Sequence, residues 1–327
     1  YYDVLERSLY NGLISGVSLD GGKFFYPNPL ESMGQHQRQA WFGCACCPSN
    51  ISRFVPSLPG YVYAVKDRAV YVNLFLSNTS NLTVAGKKVA LTQSTGYPYC
   101  GDINIKVDRN SCGQFDLKIR IPGWLKSRPL PGELYSYSDN KRLGYSIKVN
   151  GVEAEGTVTE DGYFTIPRKW KKGDEVTIHF DMEPRTVRAS EKVEADRGMV
   201  SIERGPIVYC AEWPDNKFDI KSVLINQNPE FTLEQRSLDA FIPEASKAKL
   251  NTYKTQNITT LTTDAQTLAF DKQGKLTTQE VKLTLIPYYA WCHRGNGDIK
   301  VWIPQDLKAT NPAATSTLAS LSKIHSS

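Results

Sequence analysis

No stretch of the 327-residue chain approaches the ~20 consecutive apolar residues that a membrane span requires. The N-terminus also lacks a charged start followed by an apolar signal core, and the compartment stays open. There is no long basic run: the net charge of +5 is spread over 39 basic and 34 acidic residues. That pattern argues against a nucleic-acid surface and for a neutral or polar ligand. A disulfide framework is missing too, because 7 cysteines is an odd number and Cys100, Cys112, Cys210 and Cys292 are scattered. The first residue is Tyr1 rather than methionine, and the chain enters directly into helical periodicity. Leu5, Leu9 and Leu13 form a stripe, with Gly12 and Gly16 permitting close approach, as in a helix cut from something larger.

What is present is mostly β texture. With 40% hydrophobic and 22% charged residues the chain can bury a real core and is long enough for two or three domains. After Pro59-Gly60 the pattern turns from helical to extended: Val70, Val72, Leu74 and Leu76 alternate with Tyr71, Asn73 and Phe75. Strands are expected at 82–91, 103–107, 115–121, 145–149, 176–180, 199–202, 207–210, 281–285 and 299–303. Turn signals such as Asn150-Gly151 and Asp161-Gly162 separate several of them. Short strands at this spacing indicate β-sandwiches. Residues 122–144 read as a long loop, 226–278 as polar and irregular, and the Ser, Thr and Ala content near the end as a mobile tail.

Three of the cysteines fall within four positions, in Trp41-Phe42-Gly43-Cys44-Ala45-Cys46-Cys47-Pro48-Ser49-Asn50. Pro48 suits the first position of a helix, and Ile51, Phe54 and Val55 supply its apolar face, so Cys46 and Cys47 are expected at a helix N-terminus. Unpaired backbone N–H groups there favour thiolate over thiol. Such a thiolate can be a nucleophile, a metal ligand or a redox centre. Cys44 and Cys47 have the spacing of a zinc knuckle or redox pair, yet no second such motif completes a knuckle, and the strand-helix alternation of a thioredoxin is missing. A papain-like enzyme needs a histidine, and of His36, His179, His293 and His325 only His36 is near in sequence. Asp20 and Glu31 flank Phe24-Phe25-Tyr26, and Glu194, Asp196 and Glu203 sit near a strand start. No spacing marks a glycosidase pair among them, and structural ion pairing is the default for the second group.

The opening Tyr-Asp-Val-Leu-Glu-Arg-Ser-Leu-Tyr-Asn-Gly, Phe24 to Glu31, Trp41 to Asn50 and Val193 to Gly205 together resemble glycoside hydrolase family 127, whose founding activity is β-L-arabinofuranosidase. The likeness runs up to Val301-Trp302-Ile303-Pro304, and Cys-x-Cys-Cys-Pro-x-Asn is its specific core. The resemblance implies that Cys46 is the nucleophile attacking the anomeric carbon. It implies also that Cys47, with Cys46, is a ligand of Zn2+, and that the sugar is held as a thioglycosyl intermediate before water releases it with retention. Tyr26 matches a family tyrosine near the nucleophile, and Arg38 and Trp41 are expected to shape the pocket or, equally, to serve as packing residues.

The fold class implied is mainly β: two β-sandwich domains preceded by the last helical segment of an (α/α)6-barrel catalytic domain. The boundaries are 1–63 for the barrel end with the cysteines, 64–185 for the first sandwich, 186–279 for the second and 305–327 for a flexible tail. Strands at 280–304 are expected to return to the first sandwich. In the family the general acid/base glutamate and a Glu-x-Cys pair of zinc ligands lie upstream of Tyr1, so this chain alone is expected to be inactive. Its partner is then a carbohydrate, an arabinofuranose-containing glycan, and the apolar barrel remnant is prone to association, which allows a homodimer. Two other readings stand beside this one: a non-catalytic carbohydrate-binding or scaffold β-sandwich module, and a thiol redox or structural-zinc protein.

Overall fold

The computed structural model describes residues 1–243, 246 and 257–310, and the backbone of 313–314. The chain is mostly β and divides into two compact units: Tyr1–Glu6, Ser52–Pro131 and Asn140–Glu183 form the first, and Arg7–Ile51, Gly132–Asp139 and Pro184–Ser327 the second. No helix among the described residues is long and apolar enough to cross a membrane.

The first unit has two sheets. One has six strands in the order Val152–Glu153, Tyr145–Val149, Glu175–Phe180, Asp102–Asn110, Lys87–Thr95 and Asn78–Val84, all antiparallel. The other has five, in the order Thr157–Val158, Tyr163–Lys169, Gln114–Arg120, Ala69–Val72 and Tyr63–Lys66, with Ala69–Val72 running parallel to Gln114–Arg120. Burial alternates strictly along Glu175–Phe180, where Val176, Ile178 and Phe180 point inward. With Ile103, Ile105, Val107, Leu117 and Ile119 they give each sheet one apolar face, and the two faces close as a sandwich. The expected single strand at 82–91 is instead a hairpin. Ala85 (φ 46°) and Gly86 (φ 75°) take left-handed backbone between its two arms, a turn whose twist matches antiparallel strands.

Polar groups tie the chain's first residues into this unit. Glu6 is buried and accepts from Arg120 and, at 2.7 Å, from the Tyr97 hydroxyl. Arg120 also reaches Asp3 at 2.9 Å and donates through Nε to the Asn73 carbonyl at 2.7 Å. Leu5, Leu9 and Leu13 do not make one helical stripe. The α-helix ends at Ser8, a π-helical turn follows over Leu9–Leu13, and the buried residues are Glu6, Leu9, Tyr10 and Asn11.

In the second unit hydrogen bonding runs continuously through a twelve-stranded sheet. Its main path is Val223–Ile225, Asn257–Phe270, Leu276–Pro287, Ile207–Glu212, Met199–Arg204, Pro184–Ala189 and Tyr135–Tyr137. Its core includes Val200, Ile202, Tyr209, Phe241, Leu261, Leu283, Leu285 and Trp291. The strands at 280–304 do not return to the first sandwich. Leu276–Pro287 is the second arm of a hairpin with Asn257–Phe270 and goes on to pair with Ile207–Glu212, while Asp298–Lys300 pairs with both Ile207–Glu212 and Glu31–Met33. Within the segment expected to be irregular, Thr232–Ser237 and Asn257–Phe270 are strands, because threonine is β-branched and several, including Thr259, Thr260 and Thr263, are buried. The tail does not begin at residue 305. Gln305 is buried, and Leu307–Ala309 is a 3-10 turn capped by Asp306. The remainder of that expected tail lies outside the described residues, apart from the backbone of 313–314, which pairs with Asn257–Phe270.

Breaking a buried ion pair costs more than deleting it, because one charge is left without a partner. Arg120→Met is therefore expected to destabilise the first unit by about 3–5 kcal/mol, and adding Glu6→Leu to regain much of that loss. Urea denaturation of the two variants checks this, and a double variant no more stable than Arg120→Met alone would contradict it.

Candidate active site

The helix Cys46–Ser57 starts at the cysteines, two residues before Pro48, so both thiols sit in its first turn as expected. The helix lies close to the N-terminal segment: a Cβ added at Gly16 would meet Ile51 Cδ1 at 2.8 Å. Cys44 and Cys46 are exposed and Cys47 is half-buried, all as free thiols. Cys46 Sγ lies 3.7 Å from Cys47 Sγ and 3.9 Å from the Tyr26 hydroxyl. The Tyr26 ring in turn rests on Phe42, with centroids 4.2 Å apart.

The two neighbouring thiols are driven in opposite directions. Hydrogen bonds from Cys47 and then Tyr26 hold Cys46 below the ordinary thiol range, whereas desolvation and the Cys46 sulfur push Cys47 up. Tyr26 is raised by desolvation and by its hydrogen bonds to Cys46 and Cys44, so its hydroxyl keeps its proton and can donate. Were Cys46 to ionise, Cys47 and Tyr26 stand where both could donate to its sulfur, an arrangement suited to nucleophilic attack on carbon.

Arg38 directs none of its hydrogen bonds to this group. Arg38 is buried, and its hydrogen bonds all go to backbone carbonyls: Ser15 from Nε and Nη2 at 3.3 and 3.0 Å, and Trp291 and Cys292 from Nη1 at 2.6 and 3.1 Å. Trp41 is 60% exposed and meets Phe24 edge-on at 6.0 Å. His36 contacts Ser32 Oγ at 3.0 Å. Among the carboxylates, Glu31 pairs with Lys300 at 2.9 Å, and the buried Glu203 takes Arg7 and the Tyr137 hydroxyl. Asp20 accepts from Ser18, Ser246 and Gly22.

Three family models cover most of the chain. The β-L-arabinofuranosidase GH127 catalytic domain matches residues 1–60, the GH127 middle domain residues 69–182, and the glycoside hydrolase family 127 C-terminal domain residues 184–304. The chain belongs to glycoside hydrolase family 127. Among its relatives, the non-reducing end β-L-arabinofuranosidase of Bifidobacterium longum subsp. longum is 30% identical over 324 residues, covering 92% of this chain and 45% of the relative. A solved GH127 β-arabinofuranosidase is 58% identical with a TM-score of 0.87, over 96% of this chain and 47% of that one. A GH127 β-L-arabinofuranosidase from Geobacillus stearothermophilus T6 is 32% identical with a TM-score of 0.76, over 93% and 46%. The family 127 chain described here thus spans about half the length of these relatives.

The resemblance implies zinc, and the sulfur geometry can be tested for it. Two thiolates on one tetrahedral zinc, each at about 2.3 Å, stand roughly 3.8 Å apart. The observed 3.7 Å between Cys46 and Cys47 fits two corners of such a site. Among the described residues no group of three His, Cys, Asp or Glu converges as a metal site.

Sequence reasoning passed over the segment that carries the site from below. Tyr288–Ala290 is a 3-10 turn, and the residues after it receive the loop bearing Tyr26. His293 Nδ1 donates to the Ala290 carbonyl, and its Nε2 accepts from the Leu19 amide, both at 2.9 Å. The dense aromatic run Tyr288-Tyr289-Ala290-Trp291 was the available signal. Burial, reinforced by the charge of Arg38, lowers His293 to about 3, so the folded protein keeps it neutral. An unfolded histidine takes a proton near pH 6.5, so the unfolded state binds more protons between about 3 and 6.5. Stability of the second unit is then complete above pH 6.5 and declines as the pH falls through that window. Between pH 7.5 and 4.5 the decline assigned to this group is about 2–3 kcal/mol. Urea melts at the two pH values should show it in the wild type and show it much reduced in His293→Gln. Asp20, lowered to about 2, titrates outside that interval.

Proposed function

We propose that the chain is the C-terminal part of a zinc-dependent, retaining glycoside hydrolase of the β-L-arabinofuranosidase type, acting on arabinofuranose-containing glycans. The observation that carries the reading is the trio of Cys46, Cys47 and Tyr26, with Cys46 the thiol held low. The relatives' names supply the substrate class.

In this mechanism Cys46 Sγ attacks the anomeric carbon and displaces the glycosidic oxygen, which leaves with a proton from a general acid. Water then attacks the same carbon and gives its proton to the conjugate base of that acid, the carbon–sulfur bond breaks, and two inversions give net retention. Cys46 and Cys47 would hold the zinc, which when bound keeps sulfur as thiolate and fixes its direction. The Tyr26 hydroxyl donates to the sulfur, and the departing thiolate in the second step gains the same hydrogen bond. The proton donor and the remaining ligands are assigned to the longer catalytic domain, of which residues 1–63 would be the last part of an (α/α)6 barrel. Consistent with that, the twelve-residue helix Cys46–Ser57 buries only Pro48. The isolated chain is accordingly proposed to be inactive, and association as a homodimer is part of the same proposal.

Two measurements test it. A longer form should release L-arabinofuranose from a synthetic β-L-arabinofuranoside and lose that activity on Cys46→Ala. If hydrolysis survives the substitution, Cys46 is not the nucleophile. Native mass spectrometry of the 327-residue chain under reducing conditions, with zinc added, should show weak retention that Cys47→Ala abolishes, and the same spectra separate monomer from dimer. One tightly held zinc that persists in Cys47→Ala would place the metal elsewhere.

A further inference from the structure

Tyr26 acts on Cys46 only if something holds an exposed loop side chain still, and the structure shows what does. Phe24 and Gln39 exchange backbone hydrogen bonds at 2.8 Å in both directions, so Tyr26 and Arg38 stand on opposite arms of one paired ribbon. In the extended arm successive side chains alternate: Phe25 is 3% exposed and points down, while Tyr26 is 38% exposed and points toward the thiols. Beneath the ribbon three flat groups meet. The Phe25 and Trp291 rings stack at 4.9 Å, and the Arg38 guanidinium lies 4.2 Å above the centre of Phe25 and 5.9 Å from that of Trp291. The same guanidinium binds the carbonyls of Ser15, Trp291 and Cys292. The segment it grips is fixed to the sheet in turn: the Cys292 amide donates to Glu212 at 2.6 Å, and Arg294 pairs with Glu212 and, at 2.5 Å, with Asp215.

We infer that Arg38 is a positioning residue: by clamping Phe25 onto Trp291 it places Tyr26 beside Cys46, so the C-terminal domain is a structural part of the active site. The inference rests on the reading of Tyr26 and Cys46 given above. Arg38 gives its hydrogen bonds to backbone carbonyls and none to Cys46, and its contribution passes through Phe25 and the ribbon. Lysine could not replace it, because an ammonium lacks the planar fork that spans three carbonyls while lying flat on a ring.

The experiment follows alkylation of Cys46 by iodoacetamide in the full chain at pH 7 with a chelator present, with fragment mass spectrometry distinguishing Cys46 from Cys44 and Cys47. Tyr26→Phe removes the hydroxyl and is expected to slow Cys46 roughly threefold, less than the tenfold or more of a buried charged hydrogen bond because the sulfur is exposed. Arg38→Gln is expected to slow it by the same factor, and the double variant to be no slower than either, the mark of two residues acting in one line. Glu203→Gln, in the same unit, lowers the melting temperature without changing the rate and so controls for general destabilisation. If Arg38→Gln does not fold, Phe25→Leu takes its place in the cycle. A rate unchanged in Tyr26→Phe would remove Tyr26 from the proposed chemistry. A slowed Tyr26→Phe beside a folded Arg38→Gln at the wild-type rate, or effects that multiply, would leave the chemistry standing and overturn the inference.

Discussion

A buried guanidinium must find acceptors, and Arg38 finds them in the backbone. Burying an unpaired charge costs far more than any single contact returns, so the loop that contains Arg38 has few conformations open to it. It must bring the Ser15 carbonyl to one side and accept those of Trp291 and Cys292 on the other. How strongly the group is desolvated is visible in its own acidity, which burial brings down to about 10 despite several anionic neighbours. From this one requirement follow the paired ribbon, the inward turn of Phe25 and the outward turn of Tyr26. The cysteines supply the reactive sulfur, and the arginine supplies the reason that a donor stands near it.

Much of the site was legible before the fold. Three clustered cysteines ahead of a proline identified a helix start, because Pro48 tolerates a position where its missing N–H is unneeded. Tyr26 was reached through resemblance, and the geometry brings it to Cys46. Arg38 and Trp41 were expected in the pocket or as packing residues, and sequence cannot show which way an arginine points. The segment 288–294 was invisible as part of the site because it lies more than two hundred residues away along the chain. The pairing of Glu31–Met33 with Asp298–Lys300, with the contacts of Phe25 and Arg38, brings it near.

The strands were read well where apolar and polar residues alternate, as in Glu175–Phe180, and poorly where they do not. Asn257–Phe270 was passed over because its buried positions include threonines, which look polar to a composition count yet pack as β-branched residues once their hydroxyls are bonded. The hairpin at Ala85-Gly86 was missed for the opposite reason: alanine is an unusual residue for left-handed backbone, so no turn signal was visible. Glu203 illustrates a reading that held, its charge spent on Arg7 and the Tyr137 hydroxyl rather than on catalysis.

The pairing of Glu31–Met33 with Asp298–Lys300 also bears on how the protein is made. Glu31 and Lys300 are 269 positions apart, and the ribbon carrying Tyr26 has no sheet partner until the later strand emerges from the ribosome. At about 5–20 residues per second that interval lasts some tens of seconds. Throughout it Cys44, Cys46 and Cys47 are already translated, while the ribbon that places Tyr26 beside them is without its later partner. Oxidation or mispairing of the nascent thiols has that long to compete with folding, and a cell producing the protein gains from keeping the nascent chain reduced until its last strands are in place.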